Sequence, residues 1–208
     1  MGDATRAVRA IFTQKTITVY QAYSPEIANP ALRAQKFVAP FKRGRMTWIK
    51  PSFLWMAYRC GWATKPNQER VLAIEITREG FEWALLHSCL SHHGPEPGSE
   101  KHGDWEERKR TNPVRVQWDP ERGLDLRPVP GNQRSIQIGI GGEAVNKYLD
   151  QWIVSISDVT DSMHEISRLV ASGELDAARK VLPEEKPYPL PEEVARAVGA
   201  SSAPGEAS

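Results

Sequence analysis

The segment RMTWIKPSFLWMAYRCGW (Arg45–Trp62) mixes aromatic and cationic side chains in a pattern that suits an anionic ligand. Lys50–Ser52 stands where a predicted short strand gives way to a predicted helix, so free backbone N–H groups and the positive end of the helix dipole meet there. Trp48 offers a ring for stacking, and Arg59 follows Lys50 by about two helical turns. We predict an anion-binding site at this junction; the alternative is a capped helix with a solvated lysine.

Two further groups of side chains could complete such a site. Tyr20 and Gln21 end the first long predicted strand, where a ring and an amide could line the mouth of a pocket. The alternative is a core tyrosine beside an edge glutamine. Gln137 lies on the strand face opposite to Ile136 and Ile138, because side chains alternate along a strand. Its amide both donates and accepts hydrogen bonds, so it could hold a ribose or a base edge.

The sequence gives little support for a metal site or a familiar nucleophilic enzyme. The segment HSCLSHH (87–93) places histidines near Cys89, but no Cys-x-x-Cys is present to complete a tetrahedral zinc site. We expect no metal and interpret the histidines as complementing a helix dipole. The Gly-x-Ser-x-Gly and Gly-x-x-x-x-Gly-Lys-Ser/Thr motifs are absent, and Gly139–Glu143 lacks the rest of a dinucleotide-binding fingerprint.

The composition predicts a soluble domain with no bulk attraction to one kind of partner. The 208 residues are 40% hydrophobic and 25% charged, and the formal net charge is +1. A phosphate site must therefore come from local clusters such as the basic loop Lys42–Arg45. Two cysteines, no apolar N-terminal segment and no long apolar run lead us to expect a cytoplasmic protein that does not enter a membrane.

Residue periodicity predicts the elements that position these side chains. Strands are predicted over 16–23, 46–49, 70–77, 113–119, 124–129, 134–140 and 152–160. Helices are predicted over 24–35, 53–61, 78–90, 141–151, 162–170 and 173–183, with a long loop over 91–111. The mixed order favours a single α+β domain over 1–190, in which short helices flank a split or strongly bent, mostly antiparallel sheet. The composition of 191–208 predicts a flexible tail.

Five motifs together resemble a known family: ITVYQAYSPEIA, MTWIKPSFLWM, GWATKPNQERVLAIEITREGFEWAL, PVRVQWDPER and RSIQIGIGGEAV. They are similar to the family catalogued as domain of unknown function 4291, which is found in bacteria and some fungi. The resemblance covers about residues 6–190. It implies a shared fold and carries no activity with it.

The order of the elements is also similar, more weakly, to the ADP-ribosyltransferase fold. In that fold a first strand ends in His or Arg, a second carries a Ser/Thr motif before a helix, and a later strand carries a catalytic Glu. The resemblance places Gln21–Ser24, Trp48–Ser52 and Gln137 at these positions, and it implies NAD as a cofactor. Gln21 then replaces the cation and Gln137 the carboxylate, although a neutral amide cannot supply the charge that stabilises an oxocarbenium-like transition state.

RNA 2′-phosphotransferases share that fold and lean on arginines, which implies phosphate binding by Arg59, Arg115 and Arg134 here. We therefore expect a nucleotide- or RNA-phosphate-binding protein that acts as a transferase. The predicted catalytic residues are Gln21, Ser52 and Gln137, and the predicted ligand-binding residues are Tyr20, Trp48, Lys50, Arg59, Arg115 and Arg134. Two alternatives stay open: a non-catalytic RNA-binding module with a Trp/Arg surface, and a protein-interaction domain that uses the 91–111 loop and the Pro-rich tail.

Overall fold

Short strands and helices follow one another irregularly along the chain, which a computed structural model describes over residues 5–92 and 102–201. Within these residues the strands are β1 (Thr5–Arg6), β2 (Arg9–Ala10), β3 (Thr16–Tyr23), β4 (Thr47–Ile49), β5 (Arg70–Thr77), β6 (Ser88–Leu90), β7 (Val114–Pro120), β8 (Gln133–Ile140), β9 (Ile153–Asp158) and β10 (Lys186–Pro187). The helices are α1 (Pro25–Ala34), α2 (Phe53–Cys60), α3 (Arg78–Leu86), α4 (His102–Thr111), α5 (Gly142–Lys147), α6 (Thr160–Ala171), α7 (Leu175–Val181) and α8 (Glu192–Val198), and a π-helical turn, Tyr148–Trp152, continues α5. None of the described helices is long and apolar enough to cross a membrane.

The strands form a split and strongly curled sheet within a single domain. In one half, β7 pairs along one edge of β8, while β1 and β4 pair with the two ends of its other edge. In the other half, β5 lies between β3 and β9. The backbones of Tyr20 and Lys50 exchange two hydrogen bonds and join the halves. Among the strand pairs that the structure describes, β1–β8 and β6–β7 are parallel and the rest antiparallel, which confirms the predicted α+β class and sheet.

Side-chain alternation along β8 separates a core face from a polar face. Ile136, Ile138 and Ile140 are buried in the main hydrophobic cluster, as predicted. Gln137 points to the opposite face. A second, smaller cluster packs α2 against α6 and α7, and it includes Tyr20. The polar face of β8 is therefore free to line a cleft.

The helix α2 begins and ends where the sequence predicts. The Ser52 hydroxyl accepts a hydrogen bond from the Trp55 N–H over 3.2 Å, which caps the helix. Gly61 ends it with a φ of 59°, and its N–H donates to the carbonyl of Ala57. Phe53 and Trp55 are both buried. Two of the five aromatic residues in Arg45–Trp62 therefore lie in the core, while Trp48 and Trp62 are partly buried and Tyr58 is exposed.

The helix predicted over 78–90 is wrong in its last turn. It ends at Leu86, and Ser88–Leu90 forms β6, which pairs with β7. The Ser88 hydroxyl donates to the carbonyl of Leu85 over 2.7 Å, and the His87 ring stacks on Trp83 with 3.8 Å between ring centres. A short apolar run is compatible with a helix or a strand, and the neighbouring strand decides between them.

The loop predicted over 91–111 contains a helix, α4. The Trp105 indole N–H donates to the carbonyl of Leu90 over 2.9 Å, and the Arg108 guanidinium donates to the carbonyl of Ser88 over 3.0 Å. The sequence of α4 carries no apolar stripe, so its periodicity gave no helix signal. Residues 93–101 of the predicted loop lie outside the described residues.

The strand predicted over 124–129 is a turn instead. The Gly123 N–H donates to the carbonyl of Arg127 over 3.0 Å, and the Leu126 N–H donates back to the carbonyl of Gly123 over 2.9 Å. Leu126 has a φ of 60°, which interrupts an extended strand. As a result, β7 pairs directly with β8 across a long connection.

The C-terminal segment packs against the domain, which corrects the flexible tail predicted from residue 191. Strand β10 pairs with β2, and α8 packs against α3 with Val194 and Val198 buried. The Trp118 indole N–H donates to the carbonyl of Val198 over 2.9 Å. The Pro- and Glu-rich composition favoured disorder, but these contacts bury apolar side chains and satisfy backbone groups. Residues 202–208 of the predicted tail lie outside the described residues.

Candidate functional site

A cleft of about 730 Å³ opens between the end of β3, the start of α1 and the polar face of β4, β7 and β8. Five of the nine residues predicted from sequence line it: Gln21, Trp48, Lys50, Arg59 and Gln137. They come from β3, β4, α2 and β8, so folding brings together side chains that are distant in the sequence. The cleft is the candidate functional site.

The register of the strands sets the floor of the cleft. Gln117 on β7 lies directly opposite Gln137 on β8. Trp48 on β4 lies opposite Gly139, where a Cβ atom would come within 2.9 Å of the indole ring. The glycine therefore lets the tryptophan lie close against the sheet. Lys50 follows Trp48 by two positions, points to the same face and lines the same cleft as Gln137.

Lys50 is the buried cation of this floor. The residue is only 4% exposed, and its ammonium lies 5.2 Å from the centre of the Trp55 ring. Among the described residues the ammonium has no hydrogen-bond or ion-pair partner. Burial and then the charge of Arg59 lower the pKa of Lys50 to about 7, against a smaller opposing effect of Asp119. The amine is therefore partly neutral at neutral pH, and a bound anion would restore its charge.

Gln21 is buried in a hydrogen-bond network that ties β3 to β4. Its side-chain nitrogen, which has two N–H groups to donate, lies 2.5 Å from the Thr47 hydroxyl, 2.9 Å from the Tyr23 hydroxyl and 3.2 Å from the Trp48 carbonyl. Its side-chain oxygen accepts from the Tyr148 hydroxyl over 2.7 Å. Burial raises the pKa of Tyr23 to about 12, so its hydroxyl stays protonated. Both the nitrogen and the oxygen of the Gln21 amide are therefore engaged within the protein. Through its contact with the Trp48 carbonyl, Gln21 helps to hold Trp48 in position.

Asp119 lies next to the floor and holds both glutamines. Gln117 Nε2 donates to Asp119 Oδ1 over 2.8 Å, and Gln137 Nε2 donates to Asp119 Oδ2 over 2.6 Å. Sequence reasoning singled out Gln137 but missed Gln117 and Asp119. The signal was present, because the alternation in VRVQWD puts these two residues on the face opposite to the buried Val114 and Val116.

Three more cations line the rim of the cleft. Lys42, Arg45 and Arg59 are all exposed, and the Arg59 guanidinium donates to the Gln68 side-chain oxygen over 3.1 Å. Among the described residues that line the cleft, the one carboxylate is Glu26. The lining therefore carries an excess of positive charge, which favours an anionic ligand.

Arg43, the remaining cation of the basic loop, has a structural role. Its guanidinium donates to both carboxylate oxygens of Asp150, over 2.7 and 2.8 Å, and to the Asn146 side chain over 3.1 Å. The hydrogen bond from Arg43 lowers the pKa of Asp150. This contact fastens the loop that carries Lys42 and Arg45 to the segment after β8, and so holds the rim in place.

Tyr20 and Ser52 do not line the cleft, which corrects the predicted set. Tyr20 is 1% exposed and packs edge to face on Phe53, with 5.4 Å between ring centres. Ser52 is 2% exposed, and its hydroxyl donates to Glu121 Oε1 over 3.0 Å while it caps α2. Burial favours the core for a tyrosine ring, and the cap bond turns the serine away from the cleft.

The N-terminus of α2, predicted to bind an external anion, is filled by a carboxyl group of the chain itself. The Phe53 N–H donates to Glu185 Oε1 over 2.6 Å. Burial and the nearby Glu121 raise the pKa of Glu185 to about 8, although the bond from Phe53 opposes this. Glu185 comes from the distant C-terminal segment, so a local sequence pattern does not reveal that the chain itself occupies the Phe53 N–H.

Arg115 and Arg134 also lie outside the cleft lining. The Arg115 guanidinium donates to the carbonyls of Lys109, Asn112 and Val114, and so braces the connection from α4 to β7. Arg134 lies three positions before Gln137 and therefore points to the other face of β8. Of the three arginines that the resemblance implied for phosphate binding, Arg59 lines the cleft.

No group of three His, Cys, Asp or Glu side chains within the described residues is arranged to hold a metal ion. The His87 Nδ1 lies 2.8 Å from the carbonyl of Trp83, and Cys89 is buried in β6. His93 and the side chain of His102 lie outside the described residues.

Comparison with known proteins identifies the family of this chain but assigns it no activity. A family model described as "Domain of unknown function (DUF4291)" matches residues 7–188, which include every residue of the cleft. A search of the curated proteins gave no match. The chemistry of the cleft must therefore be argued from its own residues.

Proposed function

We propose that this chain, which belongs to the DUF4291 family, binds the phosphate groups of a nucleotide or of a phosphorylated RNA end in the cleft over β4, β7 and β8. One observation carries the proposal: Lys50 is a buried amine without a hydrogen-bond or ion-pair partner among the described residues, on the floor of an electropositive cleft. Burying a charge without a partner is unfavourable, and a phosphate would supply that partner.

The size and lining of the cleft support a ligand larger than inorganic phosphate. A volume of about 730 Å³ is in the range of small-molecule sites. The ring of Trp48 lies on the sheet beside Lys50, and Phe41 also lines the cleft, so a base has aromatic faces to stack on. NAD, mononucleotides and phosphorylated RNA ends all combine a phosphate with a base in this way.

The proposal includes a transferase reaction at the same cleft, on NAD, a nucleotide or an RNA phosphate. Arg45 and Arg59 would neutralise phosphate charge. Lys50, charged when a phosphate lies against it, would add to this neutralisation from the floor of the cleft. Because Gln137 is neutral, such a reaction would depend on these cations more than on a carboxylate.

Calorimetric titration tests the binding proposal. Adenosine 5′-monophosphate, NAD and a short RNA with a terminal phosphate are titrated into the wild-type chain and into Arg59→Gln. We expect at least one of these ligands to bind and Arg59→Gln to weaken that binding about 1.5- to 5-fold, as for an exposed charge pair. Arg127→Gln is the matched control, because Arg127 is exposed, outside the cleft lining and paired loosely with Asp125. The absence of binding by every ligand, or equal losses in both variants, would contradict the proposal.

The same titration separates a compact nucleotide site from the RNA-binding module considered as an alternative. The extended RNA-binding alternative is favoured if affinity rises steadily with RNA length and falls steeply with salt, and if neither NAD nor the terminal phosphate of the RNA is chemically converted. If a mononucleotide binds as tightly as the RNA, the cleft itself is the binding site. Conversion of NAD or loss of phosphate from the RNA end would establish turnover.

A further inference from the structure

The floor of the cleft presents two acceptor oxygens that the described residues do not use. Gln117 and Gln137 both line the cleft, and both donate through Nε2 to Asp119. No hydrogen bond within the described residues ends on the Oε1 atom of either glutamine. The two residues lie directly opposite each other on β7 and β8, so both amide oxygens belong to the same part of the floor.

Asp119 fixes which end of each amide is presented to a ligand. A carboxylate accepts hydrogen bonds and cannot donate them, so each glutamine must turn its NH₂ group towards it. Flipping either amide would place an oxygen about 2.6–2.8 Å from a carboxylate oxygen with no proton between them, which is repulsive. The floor therefore selects ligand groups that donate hydrogen bonds.

The position of the pair relative to Lys50 indicates which part of a nucleotide meets it. Lys50 directly follows Ile49, the last residue of β4 paired with β8, and Lys50 and Gln137 line the same cleft. In a nucleotide whose phosphate contacts Lys50, the sugar is the part joined directly to that phosphate. Trp48 is about 7 Å from Lys50 along β4, where a base attached to that sugar can stack.

We infer that Gln117 and Gln137, oriented by Asp119, form a ribose subsite that accepts hydrogen bonds from the sugar hydroxyls, so that the cleft prefers ribonucleotides to deoxyribonucleotides. This inference rests on the proposed function, because the phosphate on Lys50 sets the position of the sugar. Asp119 is a positioning residue, since it acts on the ligand through the two amides. Their oxygens are the groups that touch the sugar.

The test compares ligands that differ by one hydroxyl. Adenosine 5′-monophosphate, its 2′-deoxy and 3′-deoxy analogues, inosine 5′-monophosphate and pyrophosphate are titrated into the wild-type chain and into Gln117→Met, Gln137→Met and Asp119→Asn. We expect each missing hydroxyl to weaken wild-type binding about 3- to 10-fold, the loss typical of one neutral hydrogen bond. The two Met variants should lose this discrimination and keep pyrophosphate affinity within about twofold, because pyrophosphate has no hydroxyl donor.

The Asp119→Asn variant tests whether Asp119 orients the two glutamine amides or only stabilises the fold. Asn can donate to one glutamine oxygen, which frees that amide to flip, so discrimination should fall while pyrophosphate affinity stays. If Asp119→Asn does not fold, the two Met variants still decide. Gln133→Met is the control, because Gln133 is exposed at the other end of β8 and outside the cleft lining. It should discriminate as the wild type does.

The outcomes distinguish this inference from the proposed function. If no nucleotide and no pyrophosphate binds, the phosphate cleft itself is contradicted. If ribo- and deoxyribonucleotides bind equally well, the phosphate cleft stands and the ribose subsite is overturned. Discrimination that survives in both Met variants, or that separates adenosine from inosine but not ribose from deoxyribose, also overturns it, because the contact would then be made elsewhere or to the base.

Discussion

The residues on the two sides of Pro51, a lysine before it and the start of a helix after it, each predict an anion site from sequence. Their surroundings in the structure differ. On one side, Lys50 is buried in the cleft floor with no partner among the described residues. On the other, the Phe53 N–H at the start of α2 donates to the Glu185 carboxyl group, which the C-terminal segment supplies. The pKa of Lys50 is lowered to about 7 and that of Glu185 is raised to about 8, in each case mainly by burial.

The difference shows what a helix terminus next to a cation does and does not predict. Both features favour an anion, but the chain itself can fill such a position. At α2 the Glu185 carboxyl group accepts the Phe53 N–H, which leaves no place for a phosphate there. At Lys50 the described chain offers no carboxylate in contact, so the unmatched charge faces the cleft. The site for a ligand is therefore the floor of the cleft and not the end of the helix.

The largest expected effect is an opposite pH dependence of the two groups. The folded pKa of Glu185, about 8, lies above its unfolded value of about 4.3, so the folded state holds the extra proton between these values and stability falls as pH rises through this window. The folded pKa of Lys50, about 7, lies below its unfolded value of about 10.4. The unfolded state then holds the extra proton, and the contribution of Lys50 to stability rises with pH between these values.

Urea unfolding from pH 5 to pH 10 measures both effects, each worth up to a few kcal/mol. Glu185→Gln keeps an acceptor for the Phe53 N–H and should remove the fall in stability between about pH 5 and pH 8. Lys50→Met should remove the rise above about pH 7. Glu184→Gln is the control, because its side chain is exposed and makes only a surface ion pair with Lys186. Parallel stability curves for all four chains would contradict the assigned burial of both groups.

The next largest effect is the loss of phosphate affinity in Lys50→Met. Removing a charged hydrogen-bond donor from a dry site costs about 1.5–3 kcal/mol of binding energy, or about 10- to 100-fold in affinity. We expect the stability of the variant at pH 6 to be equal to or above that of the wild type, because Met fills the space without a buried charge. Calorimetry with pyrophosphate and urea unfolding check the two halves of this prediction.

Lys180→Met provides the comparison for this experiment, because Lys180 is exposed on α7 and outside the cleft lining. It should change neither affinity nor stability by a measurable amount. An unchanged pyrophosphate affinity in Lys50→Met would show that the phosphate binds at the rim of the cleft and not at Lys50. The difference between Lys50 and the start of α2 would then have no bearing on ligand binding.

The elements around the cleft were predictable because their patterns are local. The alternation of residues 134–140 predicted that Gln137 faces away from the core, and β8 confirms it. The cap at Ser52 and the left-handed Gly61 fixed both ends of α2 in advance. Periods of two and of 3.6 residues, together with capping residues, depend only on near neighbours in the sequence.

Two features could not be predicted in this way: the contact of Glu185 with the start of α2, and the meeting of distant side chains in the cleft. Glu185 reaches Phe53 across 132 positions, and no local pattern announces this contact. Whether the polar face of β8 meets solvent or a cleft depends on how the curled sheet brings β4 beside it. The sequence around Gln137 is compatible with a face exposed to solvent and with a face that lines a cleft. The pairing of β4 with β8 decides between them.

The smallest expected effect comes from Ser52→Ala, which acts on the closed side of Pro51. Loss of the cap bond to the Trp55 N–H should lower stability by about 1 kcal/mol. Phosphate affinity should stay within about twofold, because Ser52 lies behind the cleft. Ser24→Ala is the matched control for stability, since Ser24 occupies the same position before α1 but makes no cap bond through its side chain. If Ser52→Ala left stability intact and weakened pyrophosphate binding tenfold, the end of α2 would be open to the ligand, and the cleft floor would no longer be the single phosphate site.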